Sequence, residues 1–232
     1  MTKVLMVVSA ADHWTLNDGT LHPTGFWAEE LATPYSVFAD AGWDVDVATP
    51  GGKAPVVDKA SLDESAGDAD TLAAVKAKLD ELAPVLAKPL NLADVKAADY
   101  DLVFYPGGHG PMEDLAVDET SGRILTERME NNAPVALLCH APAAVLATEN
   151  APDGSPFAGR KMTGFSNDEE RAAGLADKAP WLLEDRLVAL GAEYEKAPEP
   201  WASYVIVDGN LYTGQNPSSS RELAERLVKD LG

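Results

Sequence analysis

The only cysteine of the chain, Cys139, stands between a short apolar run and a histidine, His140. The apolar run, PVALL at 134–138, is typical of a strand buried on both faces, and Pro142 favours the start of a helix. A nucleophile at such a junction is held on a sharp turn above the sheet, where the amides of the helix end stabilise a thiolate. A lone cysteine is more often a buried packing residue. The junction and the adjacent histidine nevertheless favour a nucleophile, and they predict a lowered thiol pKa for Cys139.

A glycine-rich turn, PGGHG at 106–110, follows a second apolar run at 102–105. Glycine allows unusual backbone dihedral angles and close approach, so the amides of such a turn can point at a developing oxyanion. Turns of this composition are also common connectors. Paired with a strand-end cysteine, the turn predicts an oxyanion hole whose donors are the amides of Gly108 and His140. His109 is interpreted either as a polar gate or as a surface histidine, and the sequence does not choose between them.

A nucleophilic cysteine also needs an acid or a base, and five carboxylates are candidates. Two of them, Glu29 and Glu30, lie at the start of a predicted helix, where acidic residues commonly serve the helix dipole. The other three form an acidic run of the kind usually found on a solvated surface: Asp168, Glu169 and Glu170. One member of that run can orient His140, but spacing alone does not select it.

Strands alternate with helices along most of the chain, which predicts an α/β fold with a mostly parallel sheet covered on both faces. Ligands of such folds bind beyond the carboxyl ends of the strands, where the cysteine and the glycine-rich turn both lie. The predicted strands are 3–9, 43–47, 102–105, 134–138, 161–165, 204–207 and 211–213, the last two joined as a hairpin. The predicted helices are 26–41, 124–129, a small-residue helix after Cys139, 181–190 and 221–231, the last opened by a capping box of Ser219 and Glu222.

The segment 49–98 interrupts this regular alternation. Within it four apolar residues recur at helical spacing and predict an amphipathic helix: Leu72, Val75, Leu79 and Leu82. The stretch before them is acidic and weakly patterned. We therefore expect a single domain over residues 1–232, with a surface insertion or cap at about 49–98.

Composition excludes several classes of protein. The chain has 38 acidic and 18 basic residues, a formal net charge of −20 with neutral histidine. So acidic a surface repels nucleic acid and anionic lipid, and neither is an expected partner. A single cysteine excludes an intrachain disulfide framework and a multi-cysteine zinc site. The apolar N-terminal stretch reads as a strand rather than a signal peptide, and no apolar run is long enough for a membrane span, so we expect a cytoplasmic protein.

Together the motifs resemble the ThiJ/PfpI superfamily, most closely its branch of glutathione-independent glyoxalases of the glyoxalase III type and heat-shock chaperones. The resemblance covers nearly the whole chain and is weakest between residues 52 and 98. No single motif suffices, but the set is specific to the branch; its members are TGFWAEEL (24–31), FYPGGHG (104–110), LCHAP (138–142), MTGFSNDEE (162–170) and PWASYVIVDGNLYTGQNP (200–217).

The resemblance implies a flavodoxin-like three-layer α/β/α sandwich with a Cys139-His140-carboxylate site and no metal or organic cofactor. In the family a glutamate precedes the leucine of the first motif and lies beside the thiol, and here that residue is Glu30. The third member of the triad lies six residues after the glycine of TGF, and here it is Glu170. Ala141 departs from the glycine that many members have after Cys-His, which would tighten the turn. A homodimer is also implied.

The activity implied by the resemblance is conversion of a small 2-oxoaldehyde, methylglyoxal above all, to lactate through a cysteine hemithioacetal, a lyase or hydratase reaction like that of a D-lactate dehydratase. The alternatives are a stress-response chaperone or redox sensor that uses the same oxidisable cysteine, and a deglycase that repairs sugar-derived adducts on proteins. The superfamily shares its fold with class I glutamine amidotransferases. That activity is disfavoured because the chain offers no second domain to receive ammonia.

Overall fold

The computed structural model describes residues 1–232 and contains one large sheet and two short two-stranded sheets. The strands are β1 Lys3–Val7, β2 His13–Thr15, β3 Leu21–Pro23, β4 Asp44–Thr49, β5 Leu90–Asn91, β6 Leu102–Tyr105, β7 Val135–Leu138, β8 Lys161–Met162, β9 Glu193–Tyr194, β10 Val205–Asp208 and β11 Leu211–Gly214. The α-helices are α1 Ala28–Asp40, α2 Ala69–Leu86, α3 Gly110–Glu113, α4 Glu119–Glu130, α5 Asn167–Ala172, α6 Leu183–Leu190 and α7 Ser220–Leu231. A bilayer-spanning helix, which would need a long apolar stretch, is not among them.

The large sheet has the strand order β10-β11-β7-β6-β1-β4-β5, and each neighbouring pair is parallel except β10 with β11. Its inner five strands, numbered by their appearance in the chain, run 2-1-3-4-5, which is the flavodoxin order. The order reverses between β1 and β6, and ligands of such sheets bind at that point, beyond the carboxyl ends of the strands. The predicted flavodoxin-like α/β fold is therefore confirmed.

Helices cover both faces of this sheet. On one side α1 packs against α2 and α7, and on the other a 3₁₀ helix, Ala141–Thr148, packs against α4 and α6. All the residues of β6 and β7 are fully buried as a result. Strands enclosed in this way can be apolar at every position, which is why the runs LVFY and VALL lack the alternation of a half-exposed strand.

Most predicted elements are present with ends shifted by a few residues, but one local prediction is wrong. The capping box at the last helix does not form: Ser219 Oγ donates instead to the carbonyl of Tyr204, and no side-chain cap closes the helix. A complete capping box opens α5, where Ser166 and Glu169 satisfy each other's backbone amides. The small-residue helix predicted after Cys139 is present, as the 3₁₀ helix Ala141–Thr148.

The segment 49–98 contributes the amphipathic helix α2, which packs on α1, and the short edge strand β5, which pairs with β4. The segment also contacts the start of α1, since Phe26 and Val57 form a β-bridge and the amide of Ala28 donates a hydrogen bond to Ser61 Oγ. We propose that this segment is a cap within a single domain of residues 1–232.

Candidate active site

Cys139 lies one residue beyond β7, and its backbone is strained. Its φ angle is +60°, in the left-handed region that residues with a Cβ rarely adopt. The turn is held from both sides, because the Cys139 amide donates to the carbonyl of Gly214 and the Cys139 carbonyl accepts from the amide of Phe165, each at 2.8 Å. A strained, clamped turn at a strand end is the geometry that presents a nucleophile above a sheet.

His140 contacts the cysteine and is held by Glu170. Its Nδ1 lies 3.3 Å from Cys139 Sγ, and its Nε2 lies 2.7 Å from Glu170 Oε2. An ionised carboxylate can only accept, so Nε2 carries the hydrogen and Nδ1 is left free to take the thiol proton. Burial, together with the nearby His109, lowers the pKa of His140 to about 4. The imidazole is therefore a neutral base at neutral pH.

The acidic run places one carboxylate in the site and the other two elsewhere. Asp168 is exposed and forms ion pairs with Arg171 and Lys196. Glu169 is fully buried but serves as a structural hub; it accepts hydrogen bonds from Ser166, Trp201, Gln215 and Asn216. Only Glu170 reaches His140.

Glu170 is an anion in this site. Burial alone would raise its pKa, but the imidazoles of His140 and His109 outweigh that effect and hold the pKa of Glu170 below its usual range. Each imidazole donates to a different oxygen of the carboxylate. A charged acceptor makes both hydrogen bonds strong.

Glu30 lies on the other side of the thiol, in the first turn of α1. Its side chain is fully buried, and Oε2 accepts a hydrogen bond of 2.8 Å from the Gly107 amide. Oε1 has no hydrogen-bond partner, and Cys139 is the side chain with which the carboxyl group interacts. Burial raises the pKa of Glu30 well above its usual range, so the carboxyl group holds a proton. Glu29, the neighbouring candidate, faces away toward Asp68 and Arg221.

The lowered thiol pKa predicted from the sequence is wrong. Burial raises the pKa of the Cys139 thiol well above its usual range, and a negative charge on Glu30, once that carboxyl group ionises, raises it further. The amide of Gly108 opposes only part of this effect. Since the residue is 3% exposed and the helix after it is a short 3₁₀ helix, loss of water outweighs the helix end.

The glycine-rich turn brings backbone into direct contact with the site. A Cβ on Gly107 would lie 2.6 Å from Glu30 Oε2 and 2.9 Å from the amide nitrogen of His140. Gly108 has a φ of +94°, and its amide donates toward the Cys139 sulfur. Of the two amides predicted as oxyanion donors, that of Gly108 therefore faces the thiol, and that of His140 lies next to Gly107, directly after Cys139 in the chain.

His109 is not a surface histidine, so that interpretation is wrong. It is 8% exposed, and its Nε2 lies 2.9 Å from Glu170 Oε1. Its ring stacks on Trp14 at 5.1 Å and lies 4.0 Å from the ring of His140, whose other neighbour is Phe165 at 4.2 Å. The sequence did not single out Trp14 or Phe165, although the latter belongs to the MTGFSNDEE motif. Stacking partners leave no spacing signal of their own.

A cleft of about 560 Å³ adjoins the site. His109 forms part of its wall together with His22 and Trp27, and residues 56–60 of the capping segment line another part. The cleft therefore reaches the site at His109.

His109, His140 and Glu170 are the cluster whose ligand atoms, all within 4.8 Å of one another, could hold a metal ion. Their N···O distances of 2.7 and 2.9 Å are hydrogen-bond lengths. Ligands around a tetrahedral zinc ion with bonds of about 2.0–2.1 Å stand roughly 3.3 Å apart. The contacts fit protons shared between the three side chains better than a metal ion.

Several known proteins are similar to this chain in sequence and fold. The sequence profile of the DJ-1/PfpI family matches residues 21–230. The glutathione-independent glyoxalase HSP31 of Saccharomyces cerevisiae is 30% identical over 234 residues, which cover 99% of this chain and 98% of that protein. The protein/nucleic acid deglycase HchA of Staphylococcus aureus is 29% identical over 240 residues, 99% of this chain and 80% of that protein.

A solved structure agrees with these relatives. The crystal structure of glyoxalase III from Candida albicans matches with a TM-score of 0.85 at 26% identity, over 100% of this chain and 98% of that chain. The profile match spans nearly the entire sequence, and the relatives align with it from end to end. The chain therefore belongs to the DJ-1/PfpI family.

Proposed function

We propose that the protein is a glutathione-independent glyoxalase that converts methylglyoxal, and also glyoxal, to the 2-hydroxy acid. The observation that carries the proposal is the pair of groups flanking Cys139: the free Nδ1 of His140 at 3.3 Å on one side and the buried, protonated Glu30 on the other. A base and an acid around one thiol are what addition to an aldehyde and transfer of its hydrogen require. The names of HSP31 and of the Candida glyoxalase III support the same activity.

The first step forms a hemithioacetal. As the Cys139 sulfur attacks the aldehyde carbon, the thiol proton passes to Nδ1 of His140, and the electron pair of the carbonyl bond moves to oxygen. The amides of Gly108 and His140 donate to that oxygen. The imidazolium then gives this proton to the oxygen, so the hemithioacetal is neutral and His140 is again a neutral base.

The second step is an isomerisation within the bound substrate. Glu30 gives its proton to the adjacent carbonyl oxygen, and either the carboxylate so formed or neutral His140 removes the hydrogen from the former aldehyde carbon, which gives an enediol. Return of a proton to the second carbon and loss of the hydroxyl proton from the first gives the thioester of lactate. The neighbouring carbonyl serves as the electron sink, so the step needs no cofactor. A carboxyl group whose pKa is raised by burial can hold a proton and give it up again, which suits such two-way transfer.

Hydrolysis completes the cycle. Water activated by His140 adds to the thioester carbon, and the Cys139 sulfur leaves and regains its proton. The sum is methylglyoxal plus water giving lactate, with neither oxidant nor reductant. We further propose that the protein acts in the cytoplasm, where a single cysteine stays reduced, and as a homodimer.

Lactate formed from methylglyoxal without glutathione tests the proposal. The wild type should form lactate, and Cys139→Ser should form none while its thermal midpoint stays near that of the wild type, because the residue lies at a strand end. Activity that persists in Cys139→Ser would remove the nucleophile from the proposal. A variant that unfolds would instead assign Cys139 to packing.

Two other functions share the site. The relative named HchA and a cleft larger than methylglyoxal needs favour deglycase activity toward adducts on larger molecules. Deglycase activity would release the unmodified amine from such an adduct at a higher rate than the protein consumes free methylglyoxal. A chaperone or redox sensor differs in its dependence on the thiol: suppression of aggregation that survives Cys139→Ser, in a protein that forms no lactate, would favour the chaperone.

A further inference from the structure

We propose that His109 is a positioning residue for this reaction: it occupies the second oxygen of Glu170 and so holds the carboxylate where it keeps His140 aimed at Cys139. The inference rests on the proposed function and adds a fifth side chain to the four already assigned to the site, which are Cys139, His140, Glu170 and Glu30. His109 does not touch the thiol, and it acts through Glu170.

The carboxylate of Glu170 is shared between two imidazoles. His109 Nε2 lies 2.9 Å from Oε1, and His140 Nε2 lies 2.7 Å from Oε2. Because an anionic carboxylate has no hydrogen to give, both rings must donate from Nε2. No other group donates to this side chain. The two histidines therefore set the plane of the carboxylate between them.

The ring of His109 is itself rigidly placed. It stacks on the indole of Trp14 with a centroid distance of 5.1 Å and an angle of 22°. The backbone on either side of it is closely packed, since a Cβ on Gly108 would lie 2.4 Å from the carbonyl oxygen of Gly25 and one on Gly110 2.4 Å from Ser9 Oγ. A rigid donor is what a positioning residue needs.

Packing alone does not account for an imidazole at this position. The site around the ring is aromatic, and an apolar ring would stack there without the cost of burying a polar group. The imidazole differs from such a ring in the single hydrogen bond to Glu170 Oε1. That bond is therefore the property that requires histidine.

Loss of the donor should loosen His140. With Oε1 unpaired, the carboxylate can rotate away from His140, and the imidazole is then no longer held in one orientation and tautomer. A base in the wrong tautomer presents N–H rather than a lone pair to the thiol. We therefore expect loss of the donor to slow proton transfer and to leave the affinity for substrate unchanged.

Two substitutions separate the hydrogen bond from the ring. His109→Gln removes the ring but places an amide NH₂ near the position of imidazole Nε2, from which it can donate to Oε1. His109→Phe keeps the ring and its stacking but has no donor. We expect kcat for methylglyoxal to fall on the order of 10- to 100-fold in the Phe variant, the effect of losing one charge-assisted hydrogen bond, with KM unchanged. The Gln variant should retain kcat near that of the wild type.

A second pair of measurements does not depend on methylglyoxal. The rate of Cys139 alkylation by iodoacetamide at pH 7 should decrease from the wild type through the Gln variant to the Phe variant. The ¹⁵N chemical shifts of His140 report its tautomer, and the fraction of His140 that carries its hydrogen on Nε2 should decrease in the same order. If the wild type forms no lactate, the proposed function fails, while these two measurements still decide the role of His109.

Three results would overturn the inference. They are a Phe variant with wild-type alkylation rate and His140 tautomer, a Gln variant as impaired as the Phe variant, and a rise in KM with unchanged kcat, which would make His109 a substrate contact. Should the Phe variant not fold, His109→Asn replaces it. Its shorter amide falls short of Oε1, so it should show the same loss of kcat.

Discussion

At the scale of single residues, two buried acids lie side by side: the thiol of Cys139 and the carboxyl group of Glu30. Burial raises the pKa of each well above its usual range. Ionising both would place two negative charges in contact away from water, so the two protons leave in well-separated steps, and after the first has left the pair shares the remaining proton over a wide pH range. In the proposed reaction that shared proton is available to the substrate oxygen, and the vacated carboxylate can take up the substrate hydrogen.

The shared proton should be visible in the pH dependence of alkylation. For the wild type we expect the rate of Cys139 alkylation to rise in two steps, because interacting acids lose their protons in two macroscopic ionisations. Glu30→Gln leaves one acid and should give one step, at a pH below the upper step of the wild type, since the charge that opposes thiolate formation is gone. Iodoacetamide labelling followed by mass spectrometry across a pH series measures this.

Glu29→Gln is the matched control for that experiment. It lies one position along the same helix, about 100° around its axis, and faces Asp68 and Arg221. Its alkylation profile should keep both steps. A wild-type profile with one step that Glu30→Gln does not move would show that thiol and carboxyl group are uncoupled.

Glu30 should also make stability depend on pH. Its folded-state pKa is raised above its unfolded value, so folding is favoured below the unfolded pKa, about 4.3, and that contribution is lost as pH rises toward the folded pKa. Glu30→Gln lacks this loss. Relative to the wild type, the variant should gain about 1.4 kcal/mol for each pH unit in this window. Urea unfolding at pH 4 and at pH 7 gives the difference in unfolding free energy between the variant and the wild type at each pH. Equal differences at the two pH values would mean that the substitution acts through packing alone.

At the scale of elements, the site is assembled from the ends of three neighbouring parts of the sheet. Glu30 comes from α1 after β1, the glycine-rich turn follows β6, and Cys139 follows β7. These strands are adjacent in the order β7-β6-β1. Parallel strands bring their carboxyl ends to one edge, so residues far apart in sequence meet there without any further rearrangement.

Gly108, in the turn after β6, should tolerate no side chain. Gly108→Ala would combine a positive φ with a Cβ 2.4 Å from the carbonyl oxygen of Gly25, and it would displace an amide that faces the thiol. Gly174→Ala is the matched control, since its φ is also positive at +77° but no atom lies within 4 Å of the added Cβ. The control should lose about 1 kcal/mol of stability and keep its activity.

The Gly108 variant should lose clearly more stability than that control, and lactate formation as well. Urea unfolding and methylglyoxal turnover on both proteins measure the two effects. Equal losses in the two variants would show that backbone strain, and not the close contact with the carbonyl oxygen of Gly25, limits this position.

At the scale of the whole molecule, the net charge of −20 bears on what enters and leaves the cleft. Methylglyoxal is uncharged, so a negative surface does not slow its approach. Lactate is an anion, and the same surface favours its departure. The charge also repels nucleic acid and a second copy of the chain, which makes the proposed dimer sensitive to salt.

The proposed homodimer should therefore strengthen with ionic strength. Two chains of equal negative charge repel over a Debye length of about 30 Å at 0.01 M salt and about 10 Å at 0.1 M. Sedimentation equilibrium at the two concentrations should show a larger dimer fraction at the higher one, with twice the monomer mass as the limit. A monomer at both concentrations would contradict the homodimer.

The sequence by itself determined the fold class and the places where chemistry could occur. Apolar runs long enough for a buried strand, each ended by turn residues, are local patterns, and they located the strand end at Cys139 and the turn at Gly108. The hairpin of β10 and β11 was predicted for the same reason, because Gly209 allows the positive φ that its two-residue turn needs. The family motifs added Glu30 and Glu170, which local patterning could not separate from other acidic residues.

Only the tertiary structure decided what each candidate does. Asp168, Glu169 and Glu170 are alike in sequence, but one pairs on the surface, one is a buried hub and one holds His140, because the direction of each side chain depends on how α5 packs. The thiol pKa was predicted in the wrong direction because burial, which dominates it, comes from residues distant in the chain. Local patterns arise from short-range backbone preferences, whereas protonation and hydrogen-bond partners depend on distances across the folded molecule.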